Sequence, residues 1–116
     1  MNEKRKHSRV DSIYLLNYVH LDETGKAVLQ GMGRTINVSE SGIMLETHIA
    51  LNQTDTVDVV VGLKEDMVPI RGKVVFTQNT ESGSFRSGIE FLSIDGAALE
   101  TLRRYIDAFN ALSADA

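Results

Sequence analysis

Asn37-Val38-Ser39-Glu40-Ser41-Gly42 interrupts an apolar segment that otherwise reads as strand, and the rest of the chain is organised around it. Asn, Ser and Gly are turn-forming types, because they bond their own backbone locally or tolerate unusual dihedral angles. Before the run, Val28 to Val38 reads as a strand with Gly31 and Gly33 inside it. Glycines there suggest a bulge, a barrel corner or a close approach of another backbone. After the run, Ile43-Met44-Leu45-Glu46-Thr47 restarts the strand pattern.

The same pattern repeats outward in both directions. Ser12 to Leu21 is rich in β-formers and reads as a first strand, closed by the turn Asp22-Glu23-Thr24-Gly25. Thr56 to Leu63 carries Val57, Val59, Val60 and Val61 as a fourth strand. Pro69 opens a fifth from Ile70 to Thr77, and Phe85 to Leu92 is a sixth. After Ser93 the apolar period lengthens from about two to about 3.6. Leu99, Leu102, Tyr105/Ile106, Phe109 and Leu112 make one stripe on a helix from about Gly96 to Leu112, with Asp95 or Ser93 as its cap. Glu100–Arg104 and Arg103–Asp107 are spaced for surface ion pairs along that helix. Six antiparallel strands followed by one helix give an all-β fold, a barrel with a C-terminal helical lid.

Residues 1–11 show no periodicity and read as a flexible basic arm, leaving 12–116 as one domain. A chain of 116 residues fits that organisation. Net charge is −4, but Lys4, Arg5, Lys6 and Arg9 against Glu3 give the arm +3 and leave the body at −7. A basic arm on an acidic body captures a small anion without favouring DNA or RNA, and 6% aromatic residues supply no broad stacking surface. With no cysteine there are no disulfides or thiolate metal sites, and His7, His20 and His48 stand singly, so no metal site is expected. No apolar run approaches the roughly 20 residues that span a bilayer, and no secretory signal follows the basic start. The expected setting is cytoplasmic, with no membrane partner. No nucleophile elbow surrounds Ser39, and no Walker or dinucleotide glycine pattern occurs, so no catalytic residue is expected and the chain reads as a non-enzyme.

The chemistry rests on two stretches. Arg5-Lys6-His7-Ser8-Arg9 offers two guanidiniums four residues apart. Guanidinium forks match phosphate oxygens and also the O6 and N7 acceptors of guanine. Asn37 both donates and accepts, Ser39 adds a hydroxyl on the same face if the strand continues, and Gly42 lets a ligand approach the backbone. Taken alone, this second piece is also an ordinary turn composition.

Together and in this order, Arg5-x-x-x-Arg9 and Asn37-x-Ser39-x-x-Gly42 resemble the paired signature of the PilZ domain family, R-x-x-x-R and D/N-x-S-x-x-G. Val38 to Leu45, Gly72 to Phe76 and Ser87 to Phe91 look like further strands of that family, and the resemblance covers practically the whole chain. It implies a six-stranded antiparallel PilZ-like β-barrel that binds the bacterial second messenger cyclic di-GMP (c-di-GMP), with no other cofactor. Carried over by position, Arg5 and Arg9 hold phosphates and guanine edges, while Asn37 and Ser39 bond the other guanine and Gly42 keeps the surface open. Asn37 stands where many members have Asp, a neutral acceptor that softens affinity. Lys4, just before the arginine motif, is similar to members that take a stacked ligand dimer rather than a monomer. Phe76 is a secondary candidate, a face for base stacking, although a strand aromatic is more often core. A downstream protein, unidentified, would read the liganded state. The alternative is a PilZ-fold protein-interaction adaptor that does not bind cyclic di-GMP.

Overall fold

The computed structural model describes residues 14–63 and 65–114. Its elements are β1 (Leu15–Leu21), β2 (Ala27–Val38), β3 (Gly42–Thr47), β4 (Thr56–Leu63), β5 (Asp66–Asn79), β6 (Phe85–Phe91) and α1 (Gly96–Ala114). The strands close into an antiparallel barrel in the order β1-β2-β3-β6-β5-β4. Closure leaves no long free edge for another chain to pair with. This is the barrel with a helical lid that the sequence pattern predicts.

The alternation of side chains builds the interior. Leu16 and Tyr18 from β1, Ile43 and Leu45 from β3, Val57, Val59 and Val61 from β4, Ile70 and Val74 from β5 and Ile89 from β6 all point inward and are buried. The helix packs across β4 and β5. Its stripe adds Leu102, Tyr105 and Phe109 to the same core, with Leu99, Ile106 and Leu112 packed at the margin. Asp95 is the cap: its carboxylate accepts from the Ala98 amide at 2.8 Å, and its carbonyl accepts from the Leu99 amide at 2.9 Å. Tyr105 also reaches a strand, its hydroxyl 2.8 Å from that of buried Thr35 on β2.

Two local expectations are corrected. Pro69 lies inside β5, opposite Val60 of β4, rather than at its start. β6 pairs with β5 only from Gly72 onward, so Pro69 sits where β5 has a neighbour on one side, a position that tolerates a missing N–H. The intrahelical ion pairs are replaced as well. Arg103 binds Glu40 of the β2–β3 loop, and Arg104 lies 3.7 Å from Asp66 at the start of β5. Carboxylates on the β2–β3 loop and at the start of β5 win those arginines from the helix's own side chains.

Two β-bulges shape one wall. Pairing of β2 with β3 slips between Thr35 and Asn37, and pairing of β5 with β6 slips between Val74 and Phe76. Each slip adds one residue, Ile36 or Val75, and so reverses which side chains face out beyond it. Without the first, Asn37 would follow buried Gly33 and Thr35 inward; without the second, Phe76 would follow buried Ile70, Gly72 and Val74. Both are instead exposed.

Candidate functional site

The strand registers place the bulged residues in one row across the outer wall. Asn37 pairs with Met44, Met44 with Gly88, and Gly88 with Phe76. Gly88 lets the Phe76 ring lie on the sheet: a Cβ at Gly88 would come within 2.2 Å of the ring carbon Cε1. The ring is 38% exposed and so presents a face to solvent, which the usual core reading of a strand aromatic does not anticipate.

The polar run Asn37–Gly42 spans the end of β2, the β2–β3 loop and the first residue of β3. Asn37 and Ser39 are exposed while Val38 between them packs against the core; the strand ends at Val38, so Ser39 lies in the loop rather than on the continued strand that the shared-face expectation requires. The Ser39 amide donates to the Gly42 carbonyl at 2.8 Å and closes the turn. The Ser39 hydroxyl accepts from the Ser41 amide at 3.3 Å and lies 3.0 Å from the Ser41 hydroxyl. Ser41 in turn accepts from the Phe91 amide at 2.9 Å, fixing the loop to β6. Gly42 has a structural reason of its own. A Cβ there would stand 2.5 Å from the Ile89 carbonyl oxygen, so any larger residue would push β3 from β6.

The loop is also tied to the helix. Arg103 donates from Nε and Nη2 to the two carboxylate oxygens of Glu40, at 3.2 and 3.3 Å. Both partners are more than half exposed, which limits such a pair to a small contribution. Together with the buried Thr35–Tyr105 bond, it holds α1 to both ends of the Asn37 bulge. Composition and spacing did not reveal these contacts, because each joins segments far apart in sequence.

A second row runs beside the first. Arg34 pairs with Glu46, Glu46 with Arg86, and Arg86 with Gln78. The Ser84 hydroxyl donates to Glu46 at 2.5 Å, and Arg86 Nε lies 3.5 Å from the other carboxylate oxygen. The Ser84 hydrogen bond, then Arg86 and Arg34, hold the Glu46 carboxyl below its ordinary pKa against a smaller opposing effect of burial.

Arg5, Arg9 and Lys4, the arm's candidate ligand contacts, lie outside the described residues. Among the described residues no group of three His, Cys, Asp or Glu side chains is gathered to hold a metal, and no helix is long and apolar enough to cross a membrane.

A family model described as PilZ domain matches residues 3–108. The chain belongs to the PilZ domain family. Its fold is similar to the PilZ domain with c-di-GMP of YcgR from Escherichia coli, at 10% identity and a TM-score of 0.64, covering 87% of this chain and 86% of that one. Two K. pneumonia MrkH structures are also similar. One has 12% identity and a TM-score of 0.59, covering 86% of this chain and 47% of that chain. The other, in its apo state, has 11% identity and a TM-score of 0.57, covering 86% of this chain and 49% of that chain. No curated protein sequence matches the chain. At these identities the likeness carries the fold of this PilZ domain, and the site stands on its own geometry.

Proposed function

We propose that this PilZ domain is a non-enzymatic receptor for cyclic di-GMP, its arm (1–11) closing over a ligand on the outer wall of the barrel (12–116). The observation that carries the reading is the row Asn37–Met44–Gly88–Phe76, in which an amide, a thioether and an exposed ring seated over a glycine lie side by side. A guanine on this row finds the Asn37 amide and Ser39 hydroxyl for its polar edge and the Phe76 ring for its face. Arg5 and Arg9 supply guanidinium forks for the phosphates and for the O6 and N7 acceptors. Chain length permits this. Arg9 is five residues before Tyr14, a tether of at most about 18 Å, and Leu15 pairs with Arg34 beside the row. The YcgR PilZ domain, whose structure contains c-di-GMP, supports the ligand class by family analogy.

Ordering of the arm around the ligand would reshape the surface beside α1, and a downstream protein in the cytoplasm would read that change. Lys4 would serve a second, stacked nucleotide if the ligand binds as a dimer.

Calorimetric titration of cyclic di-GMP tests the reading. The wild type is expected to bind, Asn37→Ala to bind roughly tenfold more weakly, and Asn37→Asp to bind several-fold more tightly. A carboxylate accepts guanine N–H groups more strongly than a neutral amide, by about 1 kcal/mol. An Asn37→Ala variant that binds like wild type would remove Asn37 from the site. Absence of binding by folded wild type would leave the adaptor reading in its place.

A further inference from the structure

Arg34 and Arg86 belong to no motif, yet they flank the row just described. Three residues of β2, one of them the bulge at Ile36, separate Arg34 from Asn37, and two residues of β6, a rise of about 7 Å, separate Arg86 from Gly88. Among the described residues the Arg34 guanidinium makes no hydrogen bond, and its carbon lies 6.0 Å from the Tyr14 ring centroid. Arg86 Nε is buried with no hydrogen-bond partner, while the side chain as a whole is 40% exposed. The carboxylate of Glu46 lies between them and is already engaged by Ser84. Two guanidiniums against one carboxylate leave this strip with a net positive charge. On the opposite flank, Gly42, Glu90 and Lys73 follow one another with one charge of each sign. Excess positive charge on the outer wall therefore gathers on the Arg34–Arg86 side, where Arg34 and Glu46 line a hollow with Leu15, Met32 and His48.

We infer that Arg34 and Arg86 form a second, barrel-borne guanidinium pair that binds a phosphodiester of the nucleotide on the adjacent row, with Glu46 as the anion it partly displaces. The inference rests on the receptor reading and adds to it: the barrel wall supplies phosphate contacts independently of the arm. Guanidinium N–H groups that Glu46 alone does not satisfy are the chemistry that takes a phosphate oxygen, and of the two arginines Glu46 pairs with Arg86. The phosphate belongs to the molecule on Asn37 or to a second molecule stacked on it, the chemistry being the same.

The test is a calorimetric titration of cyclic di-GMP into the full chain as wild type, Arg34→Gln/Arg86→Gln and Glu46→Gln. The arginine double variant is expected to bind at least about tenfold more weakly. Glu46→Gln keeps an acceptor for Ser84 while removing the competing charge, and is expected to bind about threefold more tightly or better. A merely structural role for the cluster would make Glu46→Gln neutral or harmful to binding, so that result overturns the inference even if the double variant does not fold. A folded double variant that binds within twofold of wild type also overturns it, and leaves the receptor reading standing. No binding by wild type removes both. A stoichiometry that drops in the double variant assigns the pair to a second, stacked molecule; weaker binding at unchanged stoichiometry assigns it to the molecule on Asn37.

Discussion

An Arg5→Ala/Arg9→Ala double variant is expected to bind cyclic di-GMP at least about 100-fold more weakly than wild type, with its thermal unfolding unchanged. Each guanidinium–phosphate contact is a charge-assisted, bidentate bond of about 1.5–3 kcal/mol, and removing two multiplies the loss. Stability is expected to hold because neither arginine falls within the strand and helix patterns that form the core. The Lys/Lys version discriminates further. It keeps both charges but loses both forks, so an intermediate affinity would assign part of the effect to geometry rather than to charge. Full affinity in the Ala/Ala variant would mean that the arm takes no part in binding.

Tyr105→Ala is the substitution expected to damage the fold most. The side chain is 1% exposed and fills the barrel mouth beside Phe109, its ring centroid 6.5 Å away, while its hydroxyl meets Thr35. Truncating a buried aromatic costs about 3–5 kcal/mol, and the Thr35 hydroxyl loses its bond as well. Against a total stability of about 5–15 kcal/mol, the variant is expected to lose at least about 15 °C in Tm or to be unfolded. Tyr105→Phe keeps the ring and is expected to cost about 1 kcal/mol in urea unfolding. A Tyr105→Ala protein with wild-type Tm would show that α1 is not part of the core.

The barrel and its lid were legible because periodicity reports burial directly. Val57, Val59 and Val61 alternate into the core, and Leu102, Tyr105 and Phe109 recur at helical steps, as their burial bears out. Asn37 and Ser39 were legible as exposed through their polar character, while the end of β2 at Val38, which leaves Ser39 in the loop, was not. Their row was not legible. Met44, Gly88 and Phe76 join it through strand register, and register here depends on two single-residue bulges that no local signal marks. Phe76 shows the consequence most clearly: strict alternation after Ile70 and Val74 sends it inward, whereas the Val75 bulge turns it out over Gly88. Gly42 misled in another way, since a glycine assigned to ligand approach is also required by the Ile89 carbonyl beside it. The partners of Arg103 and Arg104 were hidden for the same reason as the row, because only tertiary structure brings Glu40 and Asp66 to the helix.

The same bulges give the proposed site its side chains. Beyond each bulge the inner and outer faces exchange, so one residue of insertion exports an amide on β2 and an aromatic ring on β5 to a wall where Gly88 leaves room for the ring. Thr35, the last inward residue before the first bulge, is anchored to Tyr105, which holds that change of face in register with the helix.

The proposed ligand surface is the outer wall of β2, β3, β6 and β5. Amide chemical shifts of isotopically labelled protein, followed as cyclic di-GMP is added, test it most directly. The largest changes are expected at Asn37, Ser39, Met44, Gly88 and Phe76, with Arg34 and Arg86 next. Changes confined to the opposite wall, around the Asp58–Arg71 ion pair of β4 and β5, or no changes at saturating ligand, would contradict it.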